Sequence, residues 1–306
     1  MRQLVTPAAL LSAIALLAAC GGGDDGTNAP APIAPPSDNS PAPAPSPSPT
    51  PGPAPAPNPD PTPTPVGELL PSLSAPQPGS TAAVGNGSEG LWVGLMNATL
   101  VDRGGKFMHL TASGVISGTF QFAGSSWKLS PDSIYESAFL SLATGAGTLT
   151  PGQRLSGSIV RTSSGATTAL ANTYDPSNAL AVDQAAIAGN WQQSGFAMQI
   201  DAAGNLTGTH TSGTRICDLH GTVTLAEPGS AKNLYAVSVS ADARASASGC
   251  SLTTGMPHKG FAAIRLMPAD GSVVITSATR YVRTLVMTGT TGYGGYFTTQ
   301  LSKPVP

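Results

Sequence analysis

Four histidines, His109, His210, His220 and His258, are the side chains on which acid–base or metal chemistry in this chain would depend. His210 and His220 lie on either side of Asp218 in sequence, yet no pair stands at a metal-ligand spacing such as H-E-x-x-H. Scattered surface histidines are the simpler account, so no metal is expected. A nucleophilic hydrolase needs a serine or cysteine activated by a base, and the G-x-S-x-G elbow is absent. Two carboxylates for glycoside chemistry would have to come from Asp102, Asp132, Glu136, Asp175 and Asp201, scattered acids that mostly read as turn residues. No glycine loop leads into a helix where a phosphate would sit. The expectation is a non-enzymatic chain with no catalytic residues and no cofactor. A histidine turned inward beside a serine or an acid in a cleft would reopen the question of a hydrolase.

The one stretch with a defined chemical reading is N-terminal. Arg2 precedes an apolar run from Leu4 that ends in Leu17, Ala18, Ala19 and Cys20, the charged, apolar, small-residue order of an export signal. The run is interrupted by Pro7 and falls short of the roughly 18 to 20 residues that span a bilayer. Its last four residues resemble the lipobox of bacterial lipoproteins. That resemblance implies that residues 1–19 are a signal peptide and that the mature chain begins at a diacylated Cys20, with the membrane as partner. Each buried acyl methylene contributes about 0.8 kcal/mol, and two or three chains make the attachment effectively permanent. Gly21, where inner-membrane lipoproteins carry aspartate, implies an outer-membrane address in a Gram-negative source.

Behind Cys20, residues 20–87 read as a tether. Most of the 29 prolines fall between Pro30 and Pro78, alternating with Ala, Ser, Thr and Asn. Proline on nearly every second residue removes backbone donors and fixes φ, leaving polyproline II as the natural conformation. Fifty such residues reach on the order of 150 Å when extended. Over the whole chain of 306 residues the net charge is -2 and charged residues make up 10%. No basic field exists for nucleic acid. With Cys20 carrying lipid, Cys217 and Cys250 remain as a pair that an oxidising compartment would join.

Beyond residue 87 short β-rich runs alternate with Gly, Ser, Asp and Asn turns, as in Arg154 to Arg161 or Leu234 to Ser240. The pattern predicts an all-β fold: two small antiparallel barrel or sandwich units in tandem, over residues 88–178 and 179–306. A short helix over Ala179 to Ala188, with Asn178 as cap, is expected to open the second unit. The halves share a grammar. Gly90, Leu91, Trp92 opens one and Gly189, Asn190, Trp191 the other; Gly114 to Phe120 parallels Gly204 to His210, and Gly157 to Val160 parallels Gly221 to Thr224. Trp92 and Trp191 read as core. Gly292 to Phe297, with three aromatics among glycines, reads as a final strand covering a barrel end, the other reading being a rim that presents tyrosines to a partner or glycan.

The Gly-x-Trp openings, Tyr174, Asp175 and Pro176, then Ile187, Ala188 and Gly189, and the late cysteine pair together resemble a group of uncharacterised proteobacterial lipoproteins with tandem β-domains. A more distant likeness is to surface lipoproteins with eight-stranded barrels, of the transferrin-binding and factor-H-binding types, and to lipocalin-like barrels whose Gly-x-Trp closes the floor. No binding residue carries over from those families. The resemblance implies a membrane-anchored envelope protein displaying non-enzymatic β-domains for binding or structural roles. The other reading is a lipocalin-like carrier of a small apolar ligand, against which a filled interior would count.

Overall fold

The computed structural model describes residues 67–137, 139–272 and 278–303. Cys20, the signal and the proline-rich run to residue 66 lie outside the described residues.

Alternating apolar and small polar residues build two closed walls. The first comprises β1 (Gly90–Val93), β2 (Ala98–Val101), β3 (Lys106–Thr111), β4 (Gly114–Ala123), β5 (Ser126–Leu129), β6 (Ile134–Glu136), β7 (Leu140–Thr150), β8 (Arg154–Arg161) and β9 (Thr167–Tyr174). β5 and β6 both lie between β4 and β7 and run the same way. They are one wall position broken by a bulge at Ser130–Ser133. Pairing of Trp92 with Tyr174 joins β1 to β9, and the wall closes with eight positions.

The second wall comprises β10 (Gly189–Gln193), β11 (Phe196–Ile200), β12 (Asn205–Ser212), β13 (Arg215–Leu225), β14 (Tyr235–Ala243), β15 (His258–Pro268), β16 (Tyr281–Thr290) and β17 (Tyr296–Ser302), closed from β17 to β10. Both are antiparallel up-and-down barrels, in which closure removes the unpaired strand edges that invite aggregation.

An eight-stranded barrel is just wide enough for side chains to fill it. Trp92, Phe107, Phe120, Trp127 and Leu170 are among those filling the first, and Trp191, Met198, Tyr235, Ile264 and Met287 the second. The shared Gly-x-Trp opening has a local cause. Gly90 and Gly189 begin the first strand of each barrel at φ 113° and 126°, where a Cβ is strained. Two residues on, each indole turns inward and donates to the carbonyl four residues back, Trp92 to Ser88 at 2.8 Å and Trp191 to Ile187 at 2.7 Å.

A third apolar cluster joins the barrels. Leu91 and Leu100 point outward from the first, since their neighbours Trp92 and Val101 point in, and they meet Leu234, Ala263 and Val286 of the second. These strands read as unbroken apolar runs because both of their faces are covered. At the centre Asn233, fully buried, receives Ile264 N–H at 2.9 Å and donates to the carbonyls of Ile264 and Ser177 at 2.6 and 3.0 Å.

Three sequence expectations change here. The segment Ala179 to Ala188 forms no helix; two single 3-10 turns, Pro176–Ala179 and Gln184–Ile187, flank extended residues. Leu180, Val182 and Ile187 are all pulled into the second core, which fixes an extended path. Asp175, not Asn178, caps the first turn by accepting from Ser177 N–H, while Asn178 is buried and bonds both backbone groups of Leu91. The later repeat parallels join inequivalent strands: Gly114 to Phe120 lies on the fourth wall position and Gly204 to His210 on the third, Gly157 to Val160 on the seventh and Gly221 to Thr224 on the fourth. Those strings record turn-to-strand chemistry; only Gly-x-Trp marks the same place twice. Finally, residues 67–87, assigned to the tether by composition, pack on the fold. Glu68 pairs through its backbone with Tyr281 and through its carboxylate with Arg283 at 2.6 and 3.1 Å.

Candidate functional site

Glu68 sits at Tyr281, where β16 begins, and the β16–β17 hairpin follows Thr290, where it ends. At about 3.4 Å per residue these two points are roughly 30 Å apart. The barrels run side by side with the same polarity. Lys232 joins Glu89 at 3.0 Å and Glu227 at 2.7 Å at the end near Glu68, and Glu136 of the first barrel accepts Gly294 N–H at 3.0 Å at the far end. Burial works against the Lys232 ammonium, but the two carboxylates outweigh it and hold its pKa above the ordinary lysine value. That cluster serves the join between the barrels.

Charge is segregated between the two ends. Eight strand connections meet at the far end: 94–97, 112–113, 137–139 and 162–166 from the first barrel, with 194–195, 213–214, 244–257 and 291–295 from the second. Arg244 is the one residue among them that carries a formal charge, and it is paired with Asp218. Leu95, Met96, Phe139 and Tyr293 are exposed there, at 100%, 78%, 78% and 77%.

A cleft of about 500 Å³ opens among these connections. Its floor follows from strand register. Phe196 on β11 faces His210 on β12, their rings 4.0 Å apart, and His210 faces Cys217 on β13. Cys217 is bonded to Cys250 with Cα atoms 4.7 Å apart, which pins the long connection 244–257 to the barrel wall. Further backbone bonds lay it along the start of β13, Ile216 N–H to Gly249 at 2.9 Å and Ser248 N–H to Thr214 at 3.2 Å. The residue after the disulfide is thereby placed: Ser251 Oγ lies 3.0 Å from His210 Nδ1. On the other side Gly292 and Gly294, at φ 77° and 95°, let the hairpin turn back sharply so that Tyr296 and Phe297 wall the cleft. Burial lowers the His210 pKa, which keeps the ring neutral near pH 7 and able to accept the Ser251 proton.

The structure thus brings His210 to a serine, an arrangement that residue spacing did not show. It is one link of a nucleophilic relay. Among the described residues no protein group holds His210 Nε2, and the nearby hairpin amides are already engaged, Gly294 with Glu136 and Gly295 with Thr291. The other candidates are separated. His210 and His220 point to opposite faces of the wall, and His220 lies 3.4 Å from Asp242. His109 and His258 are fully buried, contrary to the surface reading, because both lie on strand faces turned into the barrels. Among the described residues no three potential ligands cluster for a metal. Asp102, Asp175 and Asp201 serve as turn or cap acceptors, and Glu136 holds the hairpin. Gly90, Trp92, Gly189 and Trp191 are structural, and Cys217 and Cys250 act by positioning Ser251.

Tyr293 stands at the hairpin tip while Phe297 is core, so the aromatic stretch divides between the two readings open to it. Ser251 and Thr253 carried no signal of their own beyond adjacency to Cys250. Among the described residues no helix is long and apolar enough to cross a membrane. No protein family, no curated protein and no solved structure matches the chain.

Proposed function

We propose that this chain is a lipid-anchored protein of the bacterial outer membrane that displays its paired barrels as a non-enzymatic binding module. The observation that carries the reading is the polarity of the folded part. The chain enters at Glu68, and the uncharged cleft with its exposed side chains lies at the opposite end of β16. A lipid on Cys20, joined to the fold at the Glu68 end, would present the opposite end away from the bilayer. Carriage of a small apolar molecule inside a barrel has less support, since apolar side chains occupy both interiors.

The anchor is tested by Cys20→Ser. The wild-type chain is expected in the membrane fraction with incorporated radiolabelled palmitate, and the variant, uncut or cut elsewhere, without label. A variant that keeps the label, or a wild-type chain that takes up none, removes the anchor from the proposal.

A further inference from the structure

The far-end cleft combines three properties that narrow its ligand. No charged side chain lines it. Its polar groups are neutral donor-acceptors: the hydroxyl residues Ser137, Ser251, Thr253, Tyr296 and Thr298 and the imidazole of His210. Its apolar surface is mainly aromatic, from Phe196 and Phe297 with Leu252 beside them, and Tyr293 is exposed on the adjoining hairpin. The nearest charges are of opposite sign and stand behind the lining, Glu136 on the Gly294 N–H at 3.0 Å and Arg161 at 3.5 Å from Ser137 Oγ, so an anion or cation would leave water there without a counter-charge in the cleft itself. A long aliphatic ligand would strand the hydroxyls without partners.

We infer that this cleft binds a neutral saccharide, whose hydroxyls exchange hydrogen bonds with Ser251, Thr253 and His210 while a ring face lies against the tyrosines of the 291–296 hairpin. A sugar is a two-sided ligand of this kind, each hydroxyl donating and accepting and the ring C–H faces being apolar. Hydroxyl side chains rotate to suit either role. A volume of about 500 Å³ suits one or a few rings, within the roughly 300 to 1,000 Å³ of small-molecule sites. The disulfide gives the site rigidity, because Ser251 is fixed from one side by Cys250 and Thr253 abuts Gly295 on the other. The segregation of charge extends the argument beyond the cleft: a polymer crossing the eight connections would meet Ser, Thr and Gly, the exposed Leu95, Met96, Phe139 and Tyr293, and the paired Arg244.

The inference rests on reading the barrels as a binding module and is independent of the anchor. Its test uses the full chain, purified in a detergent without a sugar headgroup and applied to immobilised neutral and charged oligosaccharides, with calorimetry on those retained. Binding of at least one neutral oligosaccharide is expected, weakened about tenfold or more by Ser251→Ala and several-fold by Tyr293→Ala. Tyr293 is exposed, so its replacement leaves the thermal midpoint in place and keeps the test clear of misfolding. No retention of any neutral oligosaccharide at about 1 mM overturns the inference. So does preference for charged glycans, or binding that both variants leave unchanged. A chain that binds no sugar yet still carries palmitate on Cys20 loses the ligand and keeps the anchor; one that binds sugar without the lipid does the reverse.

Discussion

His109 is held neutral inside the first barrel because its ring is fully buried, with Nδ1 at 2.8 Å from Thr99 Oγ1 and no protein partner for Nε2. Burial lowers its pKa from 6.5 to about 4. Between those values the unfolded chain binds a proton that the folded chain refuses, so stability rises with pH across that window. The contribution is fully present above about pH 6.5 and is lost as pH falls towards 4, by at most about 3 kcal/mol. Urea unfolding at pH 7 and pH 4.5 is expected to show this loss in the wild type and a flatter dependence in His109→Gln. Equal slopes in the two proteins would mean the imidazole contributes nothing. His258 is also buried with a lowered pKa, so the variant retains part of the slope. Neither histidine was readable as buried from sequence, since a lone histidine in a β-run can face either way, and only register decides.

At the level of elements, legibility tracked how far each strand could be recognised by its own residues. β5, β8 and β9 are bounded as the alternation and turn glycines suggest. β2 was not visible: ATLV has both faces buried and so no alternation, its outward Leu100 meeting the other barrel. The apolar period over Ala179 to Ala188 imitated a helix because those side chains enter a core from an extended segment. The candidate site was less legible than the fold, since its residues come from β11, β12, β17, the connections 244–257 and 291–295 and Ser137 of the first barrel, and meet only after both walls close. The connection 244–257 depends on its disulfide. In the chain-entropy account, closing about 34 residues stabilises by roughly 3.8 kcal/mol. The Cys217→Ser, Cys250→Ser double variant is expected to lose most of that in urea unfolding. It should also exchange amides over 244–257 quickly while β10 to β17 stay protected. Unchanged protection of the N–H groups of Arg244 and Ser248, which donate to Ile216 and Thr214, would show that backbone pairing alone holds the connection.

The whole molecule behaves as more than two barrels on a string, because the join has the character of a core. Leu91, Leu100, Leu234, Ala263 and Val286 are shielded from water there, and Asn233 is satisfied by groups from both sides of the junction. Its own N–H donates to Thr81 Oγ1 at 2.9 Å, tying in the segment ahead of β1. Replacing Asn233 by alanine takes the side-chain partner from the buried N–H and carbonyl of Ile264, at about 1 to 3 kcal/mol for each group left unsatisfied, while the Ser177 carbonyl keeps the Leu180 N–H. If the join couples the barrels, the wild-type chain unfolds in one calorimetric transition whose van't Hoff and calorimetric enthalpies agree. Asn233→Ala then lowers the midpoint and splits the transition in two, since each barrel retains its own filled interior when the contact is weakened. Two transitions in the wild type would mean that the barrels fold independently. A cleft built from the hairpin of one barrel and held by Glu136 of the other would then lose its shape whenever either melted, so the coupling of the barrels is also what keeps the far end ready for a ligand.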